Sequence, residues 1–183
     1  TDTHGSNKEL KIVAKKAKDC DLVLCLGDFT IFGNEQKKIL KKIDKLGKVF
    51  LIHGNHELSS EVISDVKQMK NIKYIHKKGL YFKDLLILGW GGDGFSLEDE
   101  RFKKIEKIYL KKKEKAKKTI LITHGPPYGT DVDLINDEHC GNKTYKEFID
   151  KYKPDYALSG HLHENNGIEQ KLGKTMIINP GPE

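Results

Sequence analysis

The stretch "LSGHLH" at residues 158–163 places two histidines directly after a short apolar run. The run predicts a buried strand, and the two-residue spacing puts His161 and His163 on the same side of an extended segment. Polar rings seldom end a buried strand without a partner, and imidazole is the commonest protein ligand for metals. The stretch therefore indicates a ligand site at the end of a strand.

Four further segments carry metal-capable side chains, mostly beside glycine. They are "TDTHG" with Asp2 and His4, "LCLGDF" with Asp28, "LIHGNHE" with Asn55 and His56, and "LITHGPP" with His124. In α/β folds, ligands bind at the carboxyl ends of the strands, so we expect these loops to converge in space. Glycine allows the sharp turns and the close approach that such a site needs.

The order of the elements predicts an α/β layered domain, because helical and strand-like segments alternate. The first predicted helix begins at the S-x-x-E capping box of Ser6. Four further helices are predicted over about residues 34–46, 59–69, 98–117 and 143–152. Predicted strands lie within residues 21–28, 48–57, 72–75, 79–92, 119–127, 155–163 and 167–181. We find no linker or repeat and predict a single domain over residues 1–183. A polar loop such as the one at Asp2 normally follows a strand, so we expect a strand before residue 1 and further residues after 183.

Composition narrows the function classes. Charged residues make up 33% and hydrophobic residues 37% of the chain, no apolar run approaches a membrane span, and no signal-peptide pattern opens it. Three cysteines without a C-x-x-C pair predict reduced thiols in a cytoplasmic protein. The net charge of +6 rests on lysine, with Arg101 the sole arginine. Solvated helix faces explain the lysine runs, and a nucleic-acid-binding patch is the alternative.

The types of ligand narrow the metal. Mixed carboxylate, imidazole and carboxamide groups suit manganese, iron, zinc, nickel or cobalt, and suit neither calcium nor a thiolate site. Eight potential ligands exceed the needs of one tetrahedral zinc. They fit two divalent or trivalent ions that share a carboxylate, the arrangement that clamps both oxygens of a phosphoryl displacement.

The motifs D-x-H, G-D, G-N-H followed by an acid, H, and G-H-x-H stand in this order between Asp2 and His163, and "NPG" follows at 179–181. Together they resemble the calcineurin-like metallophosphoesterases. The resemblance implies a four-layer α/β/β/α sandwich in which two mixed β-sheets are flanked by helices. It also implies hydrolysis of a phosphoester by attack of a hydroxide held between two metals, with manganese favoured.

The resemblance assigns a role to each candidate residue. Asp28 would bridge the two metals, and His56 would protonate the leaving oxygen, oriented by Glu57 or another nearby acid. The first metal would be held by Asp2, His4 and His163, and the second by Asn55, His124 and His161.

The substrate is less narrowly implied. "GDFTIFGN" at residues 27–34 lacks the arginine that follows G-D in protein phosphatases, which makes that activity less expected. The motifs are most similar to a small branch of phosphodiesterases, some of which act on cyclic nucleotides. We expect a small phosphodiester or phosphomonoester as the partner. The alternative is a metal-dependent nuclease or nucleic-acid-binding protein that uses the lysine-rich faces.

Four residues outside the motifs have weaker or no predicted roles. Trp90 and Asp93, in the glycine-rich "GWGGDG", and Tyr128, after "HGPP", are candidate walls of the substrate pocket. Simple packing is the alternative for Trp90. His76 has no partner motif and is predicted to lie on the surface.

Overall fold

Two β-sheets pack face to face, and helices cover the outer side of each sheet. We describe this fold from a computed structural model, which describes residues 1–92 and 94–182. The helices are α1 (Asn7–Lys16), α2 (Gln36–Ile43), α3 (Ser59–Val66), α4 (Lys103–Lys112) and α5 (Lys143–Tyr152). The strands are β1 (Val23–Cys25), β2 (Val49–Leu51), β3 (Ile72–Tyr74), β4 (Lys78–Phe82), β5 (Leu85–Trp90), β6 (Lys118–Thr123), β7 (Leu134–Ile135), β8 (Glu138–His139), β9 (Tyr156–Leu158), β10 (Glu169–Leu172) and β11 (Thr175–Ile178).

The first sheet has the order β1-β2-β3. Val23 pairs with Val49 and Val49 with Ile72, both in parallel register. The resemblance implied a mixed sheet here, but the described strands of this sheet are all parallel. The reason is that α2 and α3 cross over between successive strands, which returns each strand in the same direction.

The second sheet is mixed and has the order β10-β11-β9-β6-β5-β4. Its four inner strands β11, β9, β6 and β5 run parallel, whereas the hairpins β4–β5 and β10–β11 are antiparallel. The β4–β5 turn falls at residues 83–84, as predicted, and Lys83 there has φ +53°. The strands β7 and β8 form a separate short hairpin.

Alternating side chains of the strands define three cores and hence four layers. Phe50 and Ile52 of the first sheet pack with Ile87 and Ile122 of the second, in the core between the sheets. Val49 and its alternate neighbours on the first sheet face α1, α2 and α3, and the alternate residues of β5 and β6 face α4 and α5. Burial of each such side chain contributes about 1.5–3 kcal/mol, so this alternation fixes the order of the layers. The predicted α/β/β/α sandwich is confirmed.

Helix ends follow local sequence signals. The Ser6 hydroxyl accepts a hydrogen bond from the Glu9 N–H at the start of α1, and Asn142 caps α5 in the same way. The predicted helix over about residues 98–117 is shorter, since α4 is flanked by one 3₁₀ turn at each end. Across the described part of the chain, no helix combines the length and apolar character that crossing a bilayer requires.

Candidate metal centre

The predicted ligands lie together at one end of both sheets. Five of them follow the carboxyl ends of strands: Asp28 follows β1, Asn55 follows β2, His124 follows β6, and His161 and His163 follow β9. The other two lie in the N-terminal loop, where the Asp2 N–H donates to the Gly27 carbonyl (3.1 Å) and the His4 N–H to the Asp28 carbonyl (3.0 Å). The carboxyl ends of the strands therefore bring residues that are far apart in sequence into one cluster.

Two glycines allow the loops of the first sheet to meet. Gly27 has φ +97°, and a Cβ on it would collide with the backbone of Gly54. A Cβ on Gly54 would in turn collide with the carboxylate of Asp28. The G-D and G-N-H motifs thus depend on glycine for direct contact between the backbones of the two loops.

Strained backbone marks four of the seven predicted ligands. Asp2, His4, Asp28 and His161 have φ of 52°, 43°, 49° and 69°, in the left-handed region that non-glycine residues seldom adopt. Each such residue costs about 1–3 kcal/mol and persists only where surrounding contacts hold it. One of those contacts is the hydrogen bond of 3.0 Å from the His161 N–H to Asp2 Oδ2. The strain lies where a functional site is expected.

Asp2, His4 and His163 form a first group of ligand atoms, all within 4.8 Å of one another. The Nε2 atoms of His4 and His163 are 3.1 Å apart, and Asp2 Oδ1 lies 4.0 Å from His163 Nε2. Asp2 Oδ1 is buried and makes no hydrogen bond within the described protein. A buried carboxylate oxygen of this kind is expected to face a cation.

Asp28, His124 and His161 form a second group within the same distance. His124 Nε2 lies 3.4 Å from Asp28 Oδ2 and 2.9 Å from Asn55 Oδ1. His161 Nε2 is buried and, among the described atoms, has no hydrogen-bond partner. This group provides one carboxylate, one amide oxygen and two imidazoles.

Backbone carbonyls orient two of the imidazoles. His4 Nδ1 lies 3.1 Å from the Thr30 carbonyl, and His124 Nδ1 lies 2.9 Å from the Leu26 carbonyl. A carbonyl oxygen only accepts, so Nδ1 carries a proton in both rings, and Nε2 is the atom left to bind a metal. Metal-ligating histidines are held by the same arrangement.

Electrostatics keep Asp28 and His161 in the forms that bind metal. Burial raises the pKa of Asp28, but the hydrogen bond and charge of His124 outweigh it and lower the pKa to about 2. Burial and the neighbouring His124 lower the pKa of His161 to about 4. For His124 itself, burial lowers the pKa, but the hydrogen bond and charge of Asp28 outweigh it and raise the pKa above its ordinary value. Near neutral pH, Asp28 is thus ionised and His161 neutral.

The cluster fits transition-metal ions. It combines carboxylate, imidazole and amide groups without thiolate, and two of its buried polar atoms have no partner among the described residues. Residues of the first group and of the second group would each hold one ion. A carboxylate oxygen of Asp28 lies within 4.8 Å of ligand atoms of His4, and likewise of His124 and His161. This position suits a carboxylate that two ions would share.

His56 lies at the mouth of the cluster, with 20% of its side chain exposed. Its Nε2 atom is 3.9 Å from Asp28 Oδ2, and its Nδ1 atom accepts a hydrogen bond of 3.4 Å from the Phe32 N–H. The Phe32 ring stacks on the imidazole at 4.3 Å. Because Nδ1 accepts, Nε2 carries the proton of the neutral ring, as a proton donor requires. Sequence reasoning missed Phe32, because its position in an irregular loop gives no periodic signal.

A third group of ligand atoms, from His4, Asp28 and His56, also lies within 4.8 Å. His56 is therefore close enough to serve either as a metal ligand or as a proton donor. Replacement of His56 would lower the metal content of the protein if it is a ligand, and would leave the metal content unchanged if it is a proton donor.

Glu57 holds the Asp28 loop and does not orient His56 as predicted. Its buried carboxylate accepts hydrogen bonds from the N–H groups of Asp28 (3.0 Å), Thr30 (2.9 Å) and Gly54 (2.9 Å), and from the Thr30 hydroxyl (2.7 Å). The pKa of Glu57 is raised, because the effect of burial exceeds that of the hydrogen bonds from Gly54 and Thr30, which lower it. The carboxylate thus ties the loop after β1 to the loop after β2.

We expect Glu57→Gln to weaken metal binding by about 10–100-fold, the usual effect of removing a group that orients a ligand. The amide nitrogen of glutamine would face backbone donors and leave at least one of them without an acceptor, which costs about 1–3 kcal/mol. Calorimetric titration of metal-free protein with Mn²⁺ measures the change. The exposed Glu147, replaced by glutamine, is the matched control. Equal affinity of Glu57→Gln and wild type would show that other contacts position Asp28.

Two of the weaker pocket candidates, Trp90 and Tyr128, do not line the cleft over the metal ligands. Trp90 is buried in the core, where its indole N–H donates to Asp99 (3.1 Å), so its ring packs and does not form a wall of the site. The Tyr128 ring lies 5.6 Å from the ring of His139 and does not line the cleft over the metal ligands. Asp93 lies outside the described residues.

His76 is partly buried, which corrects the predicted surface position. Its Nδ1 accepts a hydrogen bond of 2.8 Å from the Gly91 N–H, and its ring contacts Trp90. Burial and the neighbouring His53 lower the pKa of His76 to about 3, so the ring is neutral near neutral pH. It supports the glycine-rich loop after β5.

A cleft of about 530 Å³ opens over the cluster. Six of the eight predicted site residues line it, while Asp2 and His124 lie deeper. Four apolar residues and one acid complete the lining: Ile31, Phe95, Ile135, Leu162 and Glu164. Sequence reasoning found none of these five.

Comparisons with known proteins agree with this architecture. Residues 1–165 match the family model described as calcineurin-like phosphoesterase. An uncharacterised protein of Methanocaldococcus jannaschii, MJ1162, is 29% identical over 200 residues, which cover 100% of this chain and 86% of that protein. The protein K07C11.7 of Caenorhabditis elegans, of the group UPF0046, is 24% identical over 88% of this chain and 62% of its own length.

A solved structure, TT1561 of Thermus thermophilus, superposes with a TM-score of 0.78. It is 16% identical and covers 98% of this chain and 86% of its own, which is evidence for the fold alone. The family model spans most of the sequence and includes all seven predicted metal ligands. The chain therefore belongs to the calcineurin-like phosphoesterase family.

Proposed function

We propose that the protein is a two-metal phosphoesterase that hydrolyses a small phosphodiester, with cyclic nucleotides among the candidates, or a phosphomonoester. One observation carries the proposal. A carboxylate oxygen of Asp28 lies within 4.8 Å of ligand atoms of His124 and His161 and, in a separate group, within 4.8 Å of a ligand atom of His4. A carboxylate shared in this way is what a two-metal clamp on a phosphoryl group needs.

The chemistry divides between the ions and the side chains. When bound, the two ions would offset the charge of the phosphoryl oxygens and lower the pKa of a nearby water. Hydrolysis forms one P–O bond from water and breaks one P–O ester bond. His56 would donate its Nε2 proton to the departing oxygen, and the proton lost by the attacking water would restore the ring.

The donor set favours manganese among iron, zinc, nickel and cobalt, because carboxylate and amide oxygens accompany the imidazoles. We place the protein in the cytoplasm, supported by three free cysteines.

The proposal is tested by metal analysis together with a screen of substrates. We expect about two transition-metal ions per chain and hydrolysis of bis-p-nitrophenyl phosphate. Treatment with a chelator should abolish activity, and Mn²⁺ should restore it better than Ca²⁺. p-Nitrophenyl phosphate and the 2′,3′- and 3′,5′-cyclic nucleotides, assayed in parallel, rank monoesters against diesters. Folded, metal-loaded protein that hydrolyses none of these esters would contradict the proposal.

A metal-dependent nuclease or nucleic-acid-binding protein is the second candidate, and the lysine-rich α4 supports it. Its exposed lysines would contact phosphates, so affinity for DNA or RNA should fall steeply with salt. Weak, salt-insensitive association beside rapid hydrolysis of small esters favours the first candidate.

A further inference from the structure

Large apolar side chains are exposed at the cleft over the metal ligands. Phe95 is 67% exposed and Ile31 is 54% exposed. They belong to loops that follow strands of different sheets, Ile31 after β1 and Phe95 after β5, and Ile135 of the β7–β8 hairpin adds a third apolar residue. Exposure of large apolar side chains is unfavourable, and such a patch inside a cleft indicates a bound partner.

Phe95 lies beside a predicted ligand. Its ring packs edge-on against the His161 imidazole, with the ring centroids 4.3 Å apart. A group bound over the metal ligands would therefore also lie against this ring. Aromatic and apolar groups gain from such contacts, whereas a charged group would lose hydration there.

Among the described residues that line the cleft there is no lysine or arginine, although the chain is rich in both, with 33 in all. The one charged lining residue outside the predicted site is Glu164. A second phosphate or a carboxylate of the substrate would thus meet an acid and no counter-charge.

We propose that the cleft selects a phosphodiester whose retained ester group is uncharged and aromatic or apolar, and that Phe95 and Ile31 bind this group. The inference rests on the proposed phosphoesterase function. The departing oxygen has to face His56, which stacks on Phe32, so the retained group is assigned to the side of Phe95. Substrates with further phosphates are disfavoured.

Two diesters with the same leaving group test the inference, p-nitrophenyl phenyl phosphate and p-nitrophenyl methyl phosphate. Both are monoanions that release p-nitrophenol, so they differ only in the retained group. We expect a kcat/KM about tenfold higher for the phenyl ester, the size of one aromatic contact with its buried area. Because the ratio is compared, changes in metal content or folded fraction cancel.

Variants locate the preference. In Phe95→Ala the ratio should fall to about twofold, and Ile31→Ala should lower it less, since the aliphatic side chain offers a smaller contact. Leu110 on α4 is also exposed but lies outside the cleft, so Leu110→Ala should keep the wild-type ratio. Calorimetry with diphenyl phosphate and dimethyl phosphate adds a measurement of binding without turnover.

The outcomes separate the two proposals. Equal rates for both esters in wild type, or an unchanged ratio in Phe95→Ala, would overturn the apolar site while leaving the phosphoesterase intact. Hydrolysis of neither diester nor of p-nitrophenyl phosphate by metal-loaded protein would overturn the proposed function. Tighter binding of diphenyl phosphate, lost in Phe95→Ala, would still support the apolar site in that case.

Discussion

Asp28→Asn should lose bound metal and turnover together, with kcat/KM reduced by about a thousandfold or more. Asp28 is 2% exposed and ionised, and it is the carboxylate placed between the two groups of ligands. Asparagine keeps one oxygen, which can still accept from the His56 N–H as Asp28 Oδ1 does at 2.9 Å. It loses the charge and the second oxygen, and a loss of about 4 kcal/mol of transition-state stabilisation corresponds to a thousandfold.

Metal content per chain and kcat/KM for bis-p-nitrophenyl phosphate measure this effect, and circular dichroism checks the fold. Asp137→Asn is the matched control, because Asp137 is exposed in the β7–β8 hairpin and the same charge is removed away from the cluster. Its φ of 64° is one that asparagine tolerates. Full activity of Asp28→Asn with wild-type metal content would show that Asp28 does not bridge the ions.

Most of the ligand cluster could be predicted from the sequence because five of the seven ligands follow strands, whereas Asp2 and His4 lie in the N-terminal loop. Asp28 and His124 each follow an apolar run, and the ends of parallel strands meet in one place whatever the lengths of the connections. The helix predicted over residues 143–152 is α5, because apolar spacing and the Asn142 cap mark both its face and its start. The spacing of apolar residues and the capping residue are both local features of the sequence, so they predict a helix without knowledge of the fold.

The lining of the cleft could not be predicted, since its side chains lie in irregular loops. Ile31 and Phe95 stand in loops without periodicity, where the sequence does not distinguish an exposed apolar residue from a buried one. The direction of a side chain in a loop is equally hidden: Glu57 follows His56 directly, yet it accepts hydrogen bonds from the backbone of the Asp28 loop. For Trp90 the alternative of simple packing is confirmed, because this aromatic residue among glycines is buried in the core.

His56→Gln should keep its metal and lose activity by about a hundredfold or more, the usual contribution of a general acid. His56 lies 3.9 Å from Asp28 Oδ2, farther than the 3.4 Å of His124 Nε2, and Phe32 holds its ring from the other side. The number of metal ions per chain distinguishes the two roles of His56, because replacing a ligand lowers it and replacing a proton donor does not. A variant with fewer ions per chain would make His56 a ligand in the group with His4 and Asp28.

The leaving group provides a second measurement that a merely structural role would not move. p-Nitrophenolate departs without much help from a proton, whereas an alkoxide needs one, so the loss in His56→Gln should be larger for alkyl esters than for p-nitrophenyl esters. Phe32→Ala is the companion variant, because it keeps the imidazole and removes the ring stacked on it. We expect it to show the same dependence on the leaving group with a smaller loss. An equal loss for both classes of ester in His56→Gln would mean that His56 binds the phosphoryl group and does not transfer a proton.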